Sequence, residues 1–134
     1  MKKVLTTCGY CGTGCNFYLN VEDNEIVGVT PKNDHPVSQG KLCVKGWQGH
    51  SFVHHKDRLQ RPLIKQQDGS FSEVTWEAAI DYISSKLKNI IKKNGSDAIG
   101  LLSSARCTNE ENYLMVKFAR AVLGTNNIDH CARL

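Results

Sequence analysis

Four cysteines constrain this chain more than any other feature. They are spaced Cys8-x2-Cys11-x3-Cys15-x27-Cys43, all within the first third of 134 residues. Three are bunched on one short loop, and the fourth has to be carried back to them by whatever folds in between. Four thiolates set out this way can hold a [4Fe-4S] cube, one per iron. Gly9, Gly12 and Gly14 let the backbone wrap closely and turn N–H groups towards sulfur. Lys41 and Lys45 flank Cys43 and would offset the negative charge of the thiolates. Zinc is the competing metal, although structural zinc sites commonly use two similar knuckles with short gaps. Cys8-Gly9-Tyr10-Cys11 also has the spacing of a thioredoxin-type dithiol, without that fold's flanking strand and long helix. Haem attachment would need His after the second cysteine, where Gly12 stands. Cys107 and Cys131 read as small buried or loop residues rather than ligands. His54-His55 reads as surface or packing, because neighbours on an extended segment point in opposite directions.

The compartment bears on what six cysteines can do. Met1 to Leu5 is followed at once by Thr6, Thr7 and Cys8, too short an apolar stretch for a secretory leader. A reducing, cytoplasmic setting is expected, and there metal or redox chemistry outweighs a disulfide framework. No apolar run approaches the eighteen residues of a membrane span, so no direct membrane insertion is expected. Lys and Arg exceed Asp and Glu by only 17 to 13, with no run of five basic residues. Nucleic acid is therefore not an expected partner.

Patterning divides the chain near residue 62. Phe17, Leu19 and Val21 alternate with polar neighbours, Asp23-Asn24 can turn, and Glu25 to Thr30 reads as a returning strand, so Cys15 leads into a β-hairpin. Pro31 to Gly40 is a polar loop that delivers Cys43 back to the other cysteines. Pro62 to Lys65, an Asp68-Gly69 turn and Phe71 suggest a second small hairpin. From Thr75 the period becomes helical, with Trp76, Ala79, Ile80, Ile83, Leu87, Ile90 and Ile91 on one stripe, lysines mostly off it, and Asn94-Gly95 as the stop. Ala98 to Leu102 reads as a buried strand. Thr108 and Glu111 have capping-box spacing for a further helix, with an apolar stripe of Leu114, Phe118, Ala121 and Val122 and Gly124 as its end. Asn127 to Asp129 starts another strand. The expected class is α+β to α/β: a small β-rich cluster domain over 1–62, then the first βα units of an incomplete α/β domain over 63–134.

At this point the residues are specific enough to carry a family resemblance. The three bunched cysteines followed by Gly40-Lys41-Leu42-Cys43-Val44-Lys45-Gly46 resemble the N-terminus of the molybdopterin oxidoreductases of the dimethyl sulfoxide reductase group. Within that group, Ser104 to Tyr113, Lys117 to Arg120 and Gly124 to Leu134 resemble the formate dehydrogenase catalytic subunit. The resemblance implies an enzyme interconverting formate and carbon dioxide at a Mo or W ion held by two molybdopterin guanine dinucleotides. Electrons would leave through a [4Fe-4S] cluster on Cys8, Cys11, Cys15 and Cys43 to an electron-transfer subunit or ferredoxin-like acceptor. Lys45 matches the family's lysine between cluster and pterin, an electron-transfer and cofactor-binding role. Arg106 and Asn109 sit on a loop and helix start where a cofactor could meet backbone N–H groups.

The stretch resembling His130 to Leu134 is followed in the family by the metal-binding Cys or selenocysteine. No catalytic residue is therefore expected within these 134 residues, and the chain alone is expected to be inactive. The same likeness gives the expectation that selenocysteine, encoded by UGA, comes next. Two rival readings are a stand-alone [4Fe-4S] electron-transfer protein and a zinc-binding interaction module that uses the same four cysteines.

Overall fold

The computed structural model describes residues 1–131. The last three residues of the stretch resembling formate dehydrogenases, 132–134, lie outside the described residues. The chain is of mixed α/β character with three small sheets and forms two compact units. One comprises Met1–Arg58, Leu102–Val116 and the segment beginning at Asp129; the other comprises Leu59–Leu101 and Lys117–Ile128.

The first unit is built on an antiparallel sheet in the order β1-β2-β3, with β1 over Lys2–Thr7, β2 over Asn16–Glu22 and β3 over Glu25–Pro31. The expected hairpin is present. Asp23 and Asn24 both take positive φ, 47° and 67°, as a two-residue turn matched to strand twist requires. The register slips between Asn20 and Val21, a bulge in that hairpin. Strand β1 carries no alternation of its own and exists because β2 pairs it along its length, from Lys2↔Val21 to Thr7↔Asn16. That register makes residues 8–15 the loop joining β1 to β2. A short helix, α1, follows over Val44–Gln48 and packs against β3.

In the second unit β4 (Leu63–Lys65) and β5 (Phe71–Glu73) form the small hairpin, turned at Gly69 with φ 87°. Helix α2 spans Trp76–Asn94. Thr75 caps it, accepting from the Ala78 N–H, and Gly95 ends it with φ 81°. Its apolar stripe is covered less than the periodicity implies: Ala79 is buried, while Trp76 is 67% exposed and Ile80 and Ile83 are also exposed.

Two expectations need correction. The run Ala98 to Leu102 is not one buried strand. A 3₁₀ turn takes Ser96–Ala98, Ile99 is buried, and β6 covers only Leu101–Ser104. Leu102 is 84% exposed, since among the described residues β6 pairs with β7 (Ile128–Cys131) alone and nothing is laid over that side chain. The second correction concerns the helix after β6. Helix α3 spans Asn109–Lys117, and Phe118–Leu123 continues it as a π-helix. The wider turn rotates the face, so Ala119 and Leu123 are the buried residues while Leu114, Phe118 and Val122 are exposed. Gly124, at φ 72°, ends it as expected.

The start of α3 follows its sequence signature. The Thr108 N–H donates to the Glu111 carboxylate at 2.7 Å, and the Glu111 N–H donates to the Thr108 hydroxyl at 3.2 Å. Two otherwise orphaned donors are satisfied reciprocally. Thr108→Ala should lower unfolding stability by about 1 kcal/mol, read as an earlier urea midpoint with unchanged m-value.

Candidate metal centre

The loop between β1 and β2 carries three of the four cysteines. Its neck is closed by one more step of the ladder, the Cys8 N–H donating to the Cys15 carbonyl at 2.8 Å. Inside it, the Gly14 N–H reaches the Cys11 carbonyl at 3.4 Å, and Asn16 donates to the Thr7 hydroxyl at 2.9 Å and the Gly14 carbonyl at 3.3 Å. Gly14 sits at φ 62°, where a side chain would be strained. Gly12 is needed for a different reason: a Cβ there would run into the Asn109 carboxamide, whereas Gly9 has open space around it.

Cys43 is returned by a left-handed turn at Gln39 (φ 48°) and Gly40 (φ 76°), where a Cβ on Gly40 would strike Asn33. The loop before that turn is ordered by His35, whose Nδ1 accepts from the buried Ser38 N–H at 3.1 Å and lies 2.9 Å from its hydroxyl. Cys43 then occupies the residue before α1 in extended conformation, φ −77° and ψ 173°. The result is one small pocket lined by Cys8, Cys11, Cys15 and Cys43 together with Lys45 and Arg106. Lys45, on the first turn of α1, also borders a cavity of about 400 Å³ walled by Phe17, Ile26 and Phe52. Lys41 lines neither pocket.

The electrostatics reflect this crowding. Burial, then the charges of Cys8 and Cys11, push the Cys15 thiol up, and Cys43 adds to it. Four thiols near enough to repel as thiolates suit a group that supplies positive charge among them. They do not close on a point: among the described residues no three His, Cys, Asp or Glu side chains are gathered as a single ion would require. Tetrahedral zinc brings its sulfurs to about 3.8 Å of one another. A multi-iron cube instead holds each sulfur at its own corner, one per iron.

None of the six cysteines forms a disulfide. Cys107 is half-buried and Cys131 exposed, and neither lines the four-cysteine pocket. His54 packs, its Nε2 accepting the Ile26 N–H at 3.2 Å, and His55 accepts the Asp57 N–H at 3.2 Å. Arg106 is the residue that pattern reading placed in a cofactor loop without seeing that it reaches the cysteines. Its neighbour Asn112, unremarkable in sequence, clasps the turn by donating to the Ser104 and Thr108 carbonyls, each at 3.1 Å.

Cys131 has a chemistry of its own. A hydrogen bond with Ser104, 3.4 Å away, and one from the Ala105 backbone hold its thiol below the ordinary value. A lowered thiol is more fully ionised near pH 8, and the thiolate is the nucleophile. Peptide-resolved alkylation with iodoacetamide should show Cys131 half-reactive at a pH below that of an ordinary thiol, and Ser104→Ala should move that midpoint upward.

These features define an N-terminal iron–sulfur domain followed by part of a second, larger one. Residues 1–55 match the molybdopterin oxidoreductase Fe4S4 domain and residues 58–134 match the molybdopterin oxidoreductase domain, and the chain belongs to the molybdopterin oxidoreductase family. It is 52% identical over 133 residues to the F420-dependent formate dehydrogenase subunit alpha of Methanocaldococcus jannaschii, covering 99% of this chain and 19% of that protein. It is 51% identical over 129 residues to the F420-dependent formate dehydrogenase 1 subunit alpha of Methanococcus maripaludis, covering 96% and 18%. The chain thus spans about a fifth of the length of the relatives it matches. Acetylene hydratase from Pelobacter acetylenicus shares the fold, with TM-score 0.66 and 24% identity over 96% of this chain and 18% of that one.

Proposed function

We propose that this chain is the N-terminal part of a formate dehydrogenase, and that Cys8, Cys11, Cys15 and Cys43 bind a [4Fe-4S] cluster through which electrons leave the enzyme. The observation that carries the reading is the convergence of these four thiols on one pocket in a chain half identical, along its length, to formate dehydrogenase alpha subunits. A bound [4Fe-4S] cluster takes up and releases one electron at a time. The chain's own residues do the rest. The four thiolates hold the iron, the ladder step between Cys8 and Cys15 fixes the spacing of three of them, and the turn at Gln39-Gly40 sets the fourth. Lys45 is the electron-transfer lysine: it is among the residues lining the thiol pocket, and an ammonium there would balance added negative charge and donate to a pterin edge.

The segment over residues 63–134 is the start of the domain that holds Mo or W through two pterin dinucleotides, and the substrate is formate or carbon dioxide. None of the residues described here is assigned to that metal; the selenocysteine reading belongs to the position after Leu134. The two relatives are named F420-dependent, and we extend to this chain an electron-transfer subunit or ferredoxin-like acceptor on the way to such a carrier. Among the described residues no helix is long and apolar enough to cross a membrane. The reading includes an anaerobic, cytoplasmic setting, in keeping with six cysteines none of which is in a disulfide, as a reducing compartment maintains. A boundary near residue 62 between cluster and pterin segments completes the proposal.

Anaerobic reconstitution with iron and sulfide should give about four irons per chain and a broad visible absorption. Cys43→Ala should lose one corner, leaving fewer irons and an altered spectrum. A colourless protein binding one zinc would replace this reading with the zinc module. In the assembled enzyme, Lys45→Met should keep the iron and slow formate oxidation roughly tenfold, the effect of about 1.4 kcal/mol on a barrier. Equal rates would leave Lys45 a surface residue.

A further inference from the structure

The turn between β6 and α3 is tied down more heavily than a connection of its length needs. The Arg106 N–H donates to the Ser104 hydroxyl at 3.1 Å and the Cys107 N–H to the Ser104 carbonyl at 3.1 Å. Asn112 clasps Ser104 and Thr108 from the first turn of α3 and bonds Ser103, and the capping box fixes Thr108. The turn is then latched to the cysteine loop. Asn109 donates from Nδ2 to the Gly12 carbonyl across a sequence separation of 97 residues, at 3.4 Å, and a Cβ at position 12 would have to displace its carboxamide. Arg106, in the middle of this turn, is one of the residues lining the pocket of the four cysteines.

We propose that Arg106 is a positioning residue that sets the reduction potential of the cluster, a second cation beside Lys45, held in place by the Asn109–Gly12 latch. The inference rests on the cluster reading given above. Reduction adds one electron, and so one negative charge, to a group already bearing four thiolates. A cation at this pocket favours the reduced form, so removing Arg106 lowers the potential. Arg106 is exposed to water, and solvent screening keeps the effect well below that of a buried charge. Lys45 reaches the same pocket from α1, so the two cations come from opposite ends of the sequence.

The test uses the assembled enzyme, with its iron–sulfur centres reconstituted anaerobically with iron and sulfide, beside Arg106→Gln and Arg106→Lys. Iron per chain is measured first, and the cluster is then titrated with dithionite and followed by electron paramagnetic resonance of the reduced form. Arg106→Gln is expected to keep full iron and to show a reduced-to-oxidised ratio about tenfold lower at a given potential, 59 mV for one electron. Arg106→Lys is expected to restore most of that loss. An unchanged potential in iron-replete Arg106→Gln overturns the inference and leaves the cluster intact. Arg106→Lys behaving like Arg106→Gln overturns charge as the cause. Loss of iron from Arg106→Gln assigns the arginine to holding the loop and overturns the potential-setting role. Wild-type chain that takes up no four-iron cluster overturns the proposed function itself, and this inference falls with it.

Discussion

The gathering of four thiols around one small pocket is the constraint on which the first unit depends. Burial, then the charges that Cys8, Cys11 and Cys43 carry when ionised, push the Cys15 thiol up, so bringing four thiolates together is costly until a metal supplies positive charge. Backbone has to supply the restraint. The β1–β2 ladder clamps the loop at its neck through the Cys8 N–H and Cys15 carbonyl, so Cys8 and Cys15 cannot separate without unzipping a strand pair. The left-handed step at Gln39-Gly40 does the equivalent for Cys43, which no strand holds. Lys45 and Arg106 line the same pocket, and their charge is opposite to that of the thiolates.

How much of this was legible in the sequence follows from the range of each interaction. The β2–β3 hairpin, the Thr75 and Gly95 ends of α2 and the Thr108–Glu111 box are settled by residues a few positions apart, and their signatures can be read directly. Strand β1 is not of that kind. Its Lys-Lys-Val-Leu-Thr-Thr run becomes a strand only because β2 offers a ladder in the right register. The π turn after Lys117 leaves no local mark, and its extra width moved burial from the predicted stripe to Ala119 and Leu123. The site divides in the same way. Spacing brought out the four cysteines and Lys45, whereas the reach of Arg106 to the cysteines and of Asn109 to Gly12 joins residues most of the chain length apart, which no pattern encodes.

The two halves of the sequence therefore meet in the first unit in a way the domain order does not suggest. The turn after β6 lies in the segment matched to the molybdopterin oxidoreductase domain, yet it contributes Arg106 to the cysteine pocket and Asn109 to the cysteine loop. A turn that touches the thiols at one end and begins α3 at the other is well placed to make the surroundings of the cysteines depend on the folding of the later segment.

That dependence matters because the first unit has little else to stand on. Of its apolar side chains, only Cys8 and Phe17 are buried among the described residues, together with Gly46 and Ser38. So small an apolar core supplies little of the free energy that offsets chain entropy. Small units of this kind are commonly completed by a metal, whose binding free energy is then part of folding. On the cluster reading, the thiols that oppose one another when empty become the strongest links in the unit once iron is held. The close hydrogen bonding at the loop neck and around Arg106 then has a clear physical role: it keeps the ligands within reach of the metal while the apolar core is too thin to do so.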